Sequence, residues 1–235
     1  MNQRSTTDRA ITLLGGGMLA QGALDRALQR APRLVAVDSG ADLALAAGVK
    51  PELVIGDFDS ISPHARQAIA ADRQLHRPGQ EDTDFDKALA HVLAHGGAPF
   101  MLALGFTGAR LDHTLAGMST LLRNPGAPVL MDAGEDLCFL CPPLLRLALA
   151  PGSRLSLYPM RPVRCASRGL HWPTDALLFD PGGMIGTSNR VCDELVELRP
   201  DRPALLVMLP SQSLDAAISA LTGAPRWPSG GGQEG

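Results

Sequence analysis

The chain has 235 residues, 45% of them apolar, which is enough for one large domain or two small ones with hydrophobic cores. Its formal net charge of −3 argues against a general nucleic-acid-binding protein, because such proteins carry a basic surplus. The polar N-terminus, residues 1–10, is unlike a signal peptide, and no apolar run has the length of a membrane span. We therefore predict a cytoplasmic protein that binds neither membranes nor nucleic acids.

Short apolar runs alternate with helical patterns in the first half of the chain. The predicted strands cover residues 11–14, 34–37, 53–55, 100–104 and 129–131. The predicted helices cover residues 19–29 and 41–47, a segment capped by Ser62 and opened by Pro63, a segment from the Thr83 cap to about residue 95, and residues 111–123. This alternation is typical of a mostly parallel sheet with flanking helices. We predict an α/β domain over residues 1–131.

The pattern changes after residue 131, where Pro and Gly separate short strand-like runs. These runs cover residues 137–140, 144–149, 154–158, 176–179, 195–198 and 205–208. They predict an all-β sandwich domain over residues 132–224, followed by a disordered tail over residues 225–235. Cys138 and Cys141 have metal-ligand spacing, but no second pair follows, so ordinary buried thiols are the favoured interpretation.

Carboxylates follow the strands of the predicted parallel sheet. Asp38 comes directly after one strand, and Asp57 and Asp59 follow the next strand after Gly56. Ligands bind beyond the carboxyl ends of strands in such sheets. Each aspartate alone could be a turn former or a helix cap, but several like charges at one edge predict a bound cation. Mg²⁺ prefers such hard oxygen ligands.

Two further segments have residues suited to phosphate chemistry. Asp84 and Lys87 share one face at the start of a helix, where free N–H groups also favour an anion. The alternative is an exposed ion pair of little energetic value. Between glycines and the next helix, Arg110 could hold phosphate and Asp112 could bind metal. The glycines at 15–17 could approach a phosphate, but neither a dinucleotide fingerprint nor a Walker motif is present.

Four segments in this order resemble the motifs of the thiamine pyrophosphokinase family. They are Val37-Asp38-Ser39-Gly40-Ala41, Ile55-Gly56-Asp57-Phe58-Asp59-Ser60, Asp82-Thr83-Asp84-Phe85-Asp86-Lys87-Ala88-Leu89 and Gly108-Ala109-Arg110-Leu111-Asp112-His113. Gly169-Leu170-His171-Trp172 and Gly186-Thr187-Ser188-Asn189 in the second half are also similar to family segments. The resemblance covers about residues 11–208.

This resemblance implies a homodimer with active sites between subunits, in which the thiamine hydroxyl attacks ATP to give thiamine diphosphate and AMP. Carried over to this chain, the catalytic carboxylates around Mg²⁺ are Asp57, Asp59, Asp84 and Asp112. Lys87 and Arg110 are implied as phosphate ligands, and Lys87 also as a catalytic residue. Asp38 and Gln80 are implied as binding residues near the reaction centre of the ATP-binding domain, Ser60 as a further binding residue, and Ser188 and Asn189 as part of the thiamine pocket.

Three alternatives remain open. The same chemistry could act on another acceptor, such as a hydroxymethylpterin. A non-catalytic thiamine-binding module is a second alternative, although simple binding needs no carboxylate cluster. The Asp57-x-Asp59 spacing also occurs in phosphatases with an aspartate nucleophile, but Gly56 separates Asp57 from the apolar strand.

Overall fold

The structure is a computed structural model that describes residues 7–79, 81–108 and 110–228. The chain divides into two compact units, one of Met1–Thr120 and Met131–Gly134 and the other of Leu121–Leu130 and Glu135–Gly235. Among the described residues, no helix is both long and apolar enough to cross a lipid bilayer.

The first unit contains a parallel sheet. Its strands are β1 (Ile11–Leu14), β2 (Arg33–Val37), β3 (Leu53–Gly56), β4 (Gln74–His76) and β5 (Met101–Leu104). They pair in the order β5-β1-β2-β3-β4, each parallel to its neighbour. β6 (Val129–Asp132), of which Met131 and Asp132 belong to this unit, lies next to β5. Because β1, β3 and β5 are apolar at nearly every position, this sheet is covered on both faces.

Helices connect the strands of the first unit. They are α1 (Ala23–Leu28), α2 (Gly40–Ala46), α3 (Pro63–Ala68), α4 (Asp84–Ala94) and α5 (Leu111–Arg123), whose last three residues belong to the second unit. The Ser62 hydroxyl accepts a hydrogen bond from the Ala65 N–H at 3.1 Å, which confirms the predicted cap. Thr83 and Asp86 form a reciprocal capping box at the start of α4. α4 packs on β2 and β3 and thus brings its first turn to the carboxyl ends of these strands.

Glycines allow the strand-end loops of this sheet to pack backbone against backbone. A Cβ atom on Gly15 would lie 2.7 Å from the Gly105 carbonyl oxygen, and one on Gly17 would lie 2.6 Å from the same oxygen. A Cβ on Gly40 would collide with the Leu14 carbonyl. The close approach of neighbouring loops therefore requires glycine at these positions. This packing alone explains Gly15 and Gly17, so their presence does not indicate a bound phosphate.

The second unit contains two antiparallel sheets. Its strands are β7 (Asp136–Leu140), β8 (Leu145–Ala148), β9 (Arg154–Pro159), β10 (Val163–Arg168), β11 (Leu178–Phe179), β12 (Gly186–Arg190), β13 (Leu195–Pro200) and β14 (Leu205–Pro210). One sheet has the order β12-β9-β14-β7 and the other has the order β11-β10-β13-β8. Phe139 and Phe179 are fully buried in this unit. The predicted α/β fold followed by antiparallel strands is confirmed.

Several predicted details are wrong. The unit is not all-β, since α6 (Leu214–Gly223) follows β14. The first helix begins at Ala23 rather than at residue 19, because Gly22 adopts a left-handed conformation that interrupts it. β4, β10 and β12 were not predicted, because their residues are mostly polar and give no continuous apolar run.

The start of the predicted disordered tail makes hydrogen bonds to the second unit. The Trp227 Nε1–H donates to the Cys141 carbonyl at 2.9 Å, and Arg226 donates to the Gly126 carbonyl at 3.4 Å. Residues 229–235 lie outside the described residues. Cys138 and Cys141 are buried thiols, and burial raises the pKa of Cys138 to about 12, which fits inert core cysteines.

Candidate active site

Three carboxylates meet at the edge of the parallel sheet. Asp38 follows β2, and Asp57 and Asp59 follow the neighbouring strand β3. One oxygen from each side chain lies within 4.8 Å of an oxygen from each of the others. Carboxylates this close repel one another, and a cation between them relieves the repulsion. We refer to Asp38, Asp57 and Asp59 as the carboxylate cluster.

The local backbone explains why these side chains converge. Asp38 and Phe58 both have positive φ angles, 46° and 65°, which are unusual for residues other than glycine. Phe58 is buried and stacks on His76 with ring centroids 5.4 Å apart, so the tight turn is anchored by its middle residue. Asp57 and Asp59 then project from the opposite side of this turn. The Asp59 N–H donates to Asp57 Oδ1 at 3.2 Å, and Ser60 Oγ donates to Asp59 Oδ1 at 2.7 Å.

Asp38 is the most buried member of the carboxylate cluster. Only 7% of its surface is exposed, and among the described residues its Oδ1 atom has no hydrogen-bond partner. Burial, together with the negative charges of Asp84 and Asp59, raises the pKa of Asp38, although hydrogen bonds from the Ser39 N–H and the Ser60 side chain act against this. A buried carboxylate oxygen without a partner, beside two further carboxylates, suits a hard divalent cation such as Mg²⁺.

We expect Asp38→Asn to stabilise the metal-free protein at neutral pH, because the substitution removes one charge from a crowded, partly buried site. A raised pKa means that the folded chain holds this proton more tightly than the unfolded chain. The Asp38 carboxylate therefore costs stability as the pH rises above 3.8, and the advantage of the Asn variant should grow over that range. Thermal unfolding should show a Tm higher by about 2 °C or more at pH 7. An unchanged or lower Tm across this pH range would contradict the repulsion.

Lys87 and Asp84 form an ion pair in the first turn of α4. The Lys87 Nζ and Asp84 Oδ1 atoms are 2.8 Å apart, and the side chains are only 10% and 24% exposed. The pair predicted from the sequence therefore forms, but it is not the exposed surface pair of the alternative interpretation. Because Asp84 also acts electrostatically on Asp38, the pair lies near the carboxylate cluster and places a cation there. The Lys87 ammonium could exchange Asp84 for the oxygens of a bound phosphate.

We expect Lys87→Met to lower activity with ATP by about 10²-fold while lowering the Tm by only a few degrees. Methionine retains most of the apolar stem of lysine and removes the charge that would contact phosphate. The matched control is Lys50→Met, since Lys50 is exposed and is the other lysine of the chain. The phosphate-binding role is wrong if Lys87→Met loses stability but keeps its activity.

Arg110 and Asp112 form a two-pronged pair at the start of α5. Arg110 donates to Asp112 from Nη2 at 2.6 Å and from Nε at 3.2 Å. The guanidinium lowers the pKa of Asp112 and the carboxylate raises the pKa of Arg110. Both side chains are exposed, so water screens their attraction and the pair can open readily. Their predicted roles, phosphate binding for Arg110 and metal binding for Asp112, stay predictions.

The residues predicted to bind thiamine lie on β12 in the second unit. The Ser188 side chain is exposed, and its backbone has a φ of 59°. Asn189 is only 7% exposed, and its amide is engaged by Trp172 and Arg190. Gln80, which was predicted to lie near the bound ATP, is outside the described residues.

Sequence reasoning placed Asp38 near the reaction but not in the metal-binding set. The order of the strands could have indicated that Asp38 lies beside Asp57 and Asp59, because β2 and β3 are consecutive parallel strands and Asp38 directly follows β2. The structure groups Asp38 with Asp57 and Asp59, whereas Asp84 and Asp112 are paired with Lys87 and Arg110.

Comparisons with known proteins point to one family. Residues 24–131 match the family model described as thiamin pyrophosphokinase, catalytic domain. Thiamine pyrophosphokinase 1 of rice is 24% identical over 197 residues, which cover 77% of this chain and 74% of the relative. Thiamine pyrophosphokinase of Bacillus subtilis is 33% identical over 94 residues, which cover 38% of this chain and 43% of the relative.

Residues 24–131 are thus similar to the catalytic domain of the thiamine pyrophosphokinase family. The crystal structure of thiamine pyrophosphokinase from Bacillus subtilis has the same fold, with a TM-score of 0.72 at 22% identity, covering 86% of this chain and 98% of that one. The yeast thiamin pyrophosphokinase structure gives a TM-score of 0.70 at 17% identity, covering 93% of this chain and 92% of that one. The carboxylate cluster, Lys87 and Arg110 all fall within the part that matches the catalytic domain of thiamine pyrophosphokinases, and Ser188 and Asn189 lie outside it.

Proposed function

We propose that this protein transfers a diphosphate group from ATP to the hydroxyl of thiamine, giving thiamine diphosphate and AMP. The observation that carries the proposal is the convergence of Asp38, Asp57 and Asp59 in the region matched to the catalytic domain. Transfer of a phosphoryl group depends mainly on positioning and on neutralising the charge of the phosphates. A cluster of carboxylates next to a buried lysine supplies the parts that such a reaction needs.

The carboxylate cluster would hold Mg²⁺, with Asp84 and Asp112 as the further ligands expected from the sequence. When bound, Mg²⁺ neutralises phosphate charge and supports the in-line geometry of the displacement. Asp38 supplies a buried oxygen free to act as a ligand among the described residues. Asp59 is held by Ser60, and Asp57 is held by the Asp59 N–H, so both are oriented before any ligand binds.

The basic residues would bind and orient the ATP phosphates. Lys87 supplies a positive charge beside the carboxylate cluster, and Arg110 supplies a planar group suited to two phosphate oxygens. The thiamine hydroxyl oxygen forms a bond to the β-phosphorus and loses its proton to solvent, the bond from that phosphorus to the α–β bridging oxygen breaks, and AMP leaves with that oxygen. Thiamine is a cation, so the negative charge of the aspartates also attracts this acceptor.

We further propose that the working unit is a homodimer in which Ser188 and Asn189 of one chain contribute to the site formed by the carboxylate cluster of the other. The support is the family resemblance of both segments, together with their location in different compact units of the chain. A closed twofold dimer would form two such shared sites. The cytoplasmic location likewise stays a prediction.

The deciding experiment is incubation with ATP, Mg²⁺ and thiamine, followed by chromatographic separation of the products. We expect AMP and thiamine diphosphate in equal amounts. ADP with thiamine monophosphate would contradict diphosphate transfer. A parallel reaction with ATP, Mg²⁺ and a hydroxymethylpterin tests the acceptor. AMP release with the pterin but not with thiamine would show that the pterin is the substrate.

A further inference from the structure

A pair of stacked phenylalanine rings joins two segments of the candidate active site. Phe85 lies in the first turn of α4, and Phe106 lies in the loop between β5 and α5. Their ring centroids are 4.0 Å apart, and the ring planes are inclined by 20°. A close aromatic pair contributes more to stability than the burial of its area alone, and it favours a particular arrangement of the two rings. The stack therefore holds the start of α4 against the loop that follows β5.

The two joined segments each carry one of the basic residues proposed to bind phosphate. Lys87 follows Phe85 in the same helical turn, and Arg110 follows Phe106 just before α5 begins. Two cations that bind neighbouring phosphates of one nucleotide must lie at a fixed separation, because a small misplacement of either one weakens its contact. The stack of Phe85 on Phe106 is a direct contact between the two segments, so it sets the separation of Lys87 from Arg110.

The position of Phe106 is fixed by the loop after β1. The Gly17 N–H donates to the carbonyl of Gly105, the residue before Phe106, at 2.8 Å. A Cβ atom on Gly15 would lie 2.9 Å from Phe106 Cε1, so the lack of a side chain at Gly15 makes room for the ring. Phe85 is only 4% exposed, and Phe106 is partly buried against it. The ring of Phe106 thus lies between the loop after β1 and the start of α4.

The first turn of α4 transmits the position of Phe85 to Lys87. The Asp86 N–H donates to the Thr83 hydroxyl at 3.2 Å, and the Thr83 N–H donates to Asp86 Oδ2 at 3.2 Å, so reciprocal bonds close the turn around Phe85. The Lys87 N–H donates to the Thr83 carbonyl at 3.0 Å. Because these bonds make the turn stiff, a displacement of the Phe85 ring also displaces Lys87.

We infer that Phe106 is a positioning residue for nucleotide binding, which acts through Phe85 to hold Lys87 at a set distance from Arg110. The inference rests on the proposed function and deepens it, because it assigns a role to a residue that carries no charge and lies in none of the predicted site positions. The phenyl ring has no donor or acceptor for a phosphate, so its effect comes from placement alone. Loss of the ring should therefore weaken nucleotide binding.

The test measures the binding of α,β-methylene-ATP with Mg²⁺ by titration calorimetry in the absence of thiamine. This analogue keeps three phosphates and lacks the α–β bridging oxygen, so binding is measured without diphosphate transfer. Phe106→Leu should raise the Kd about fivefold, the scale of a lost aromatic pair, and Phe106→Tyr should stay within about twofold of the parent because it restores the ring. An unchanged Kd in Phe106→Leu would overturn the inference and leave the proposed function standing. Absence of binding to the parent would overturn both.

A matched control separates positioning from a general loss of packing. Phe139→Leu makes the same change at a fully buried phenylalanine of the second unit, so it should lower the Tm and leave the Kd for the analogue within about twofold. If Phe139→Leu weakens binding as much as Phe106→Leu does, the effect comes from loosened packing, and the inference is wrong.

A double substitution tests the route through Lys87. In Lys87→Met, one of the two basic residues is lost, so the separation that Phe106 maintains no longer matters. Adding Phe106→Leu to Lys87→Met should therefore raise the Kd by less than about twofold further, although the same change raises it about fivefold in the parent. If the two losses instead multiply, Phe106 acts independently of Lys87, and the proposed route is overturned.

Discussion

Replacing Asp57 or Asp59 with Asn should lower the turnover of diphosphate transfer by at least about 10²-fold, the scale expected when electrostatic stabilisation of a transition state is lost. Each substitution keeps the shape of the side chain and removes one negative charge from the carboxylate cluster. Folding should be unaffected or improved, because like charges within 4.8 Å repel one another in the metal-free protein. The measurements are turnover at saturating ATP and thiamine, and thermal unfolding without metal.

A matched control separates loss of the metal site from loss of charge in general. Asp72→Asn removes the same charge from an exposed aspartate on a short turn before β4, and it should leave turnover unchanged. Raising the Mg²⁺ concentration should recover part of the activity of Asp57→Asn and Asp59→Asn, because a weakened site still fills at high metal. Near-normal turnover in both variants at low Mg²⁺ would remove the metal-site assignment.

The parts of this fold that the sequence predicts well have strong local signals. β1 and α5 begin and end at the predicted residues, because the arrangement of apolar residues is uninterrupted along each of them. The caps at Ser62 and Thr83 are also correct, since capping depends on a few adjacent side chains. The convergence of Asp57 and Asp59 follows from a short turn anchored by Phe58, which an apolar residue between two aspartates already suggests.

The remaining parts depend on contacts between distant segments. β12 consists of polar residues and is a strand because it pairs with β9, so no apolar pattern marks it. The hydrogen bond from Asn189 to the Trp172 carbonyl could not be predicted either, because Trp172 lies 17 positions earlier in the chain and the intervening segment must fold back. The burial of Lys87 likewise could not be predicted, because an i,i+3 pair has the same sequence on an exposed helix face and on a packed one.

Two impaired variants should restore part of each other's activity if each active site is shared between two chains. An Asp57→Asn chain lacks a functional carboxylate cluster. An Asn189→Ala chain lacks part of the proposed thiamine pocket of Ser188 and Asn189, which we call the acceptor surface. In a heterodimer of the two, one shared site combines both defects, whereas the other combines the intact cluster of one chain with the intact acceptor surface of its partner. Because random pairing gives half heterodimers with one intact site of two, an equal mixture should reach about a quarter of the parent activity.

The mixture is made by dissociating and reassociating differently tagged chains, and the heterodimer is then isolated through both tags. The isolated heterodimer should have about half of the parent activity. The assay uses subsaturating thiamine, because a raised KM for thiamine in Asn189→Ala lowers the rate most under that condition. Asp57→Asn paired with Lys87→Met is the matched control, since both substitutions damage the same set of residues in the first unit and each shared site then carries one defect. This control should stay inactive under the same conditions. The verified heterodimer of Asp57→Asn and Asn189→Ala could instead be as inactive as this control. Each active site would then be built from one chain alone, because one defect in each chain would disable both sites.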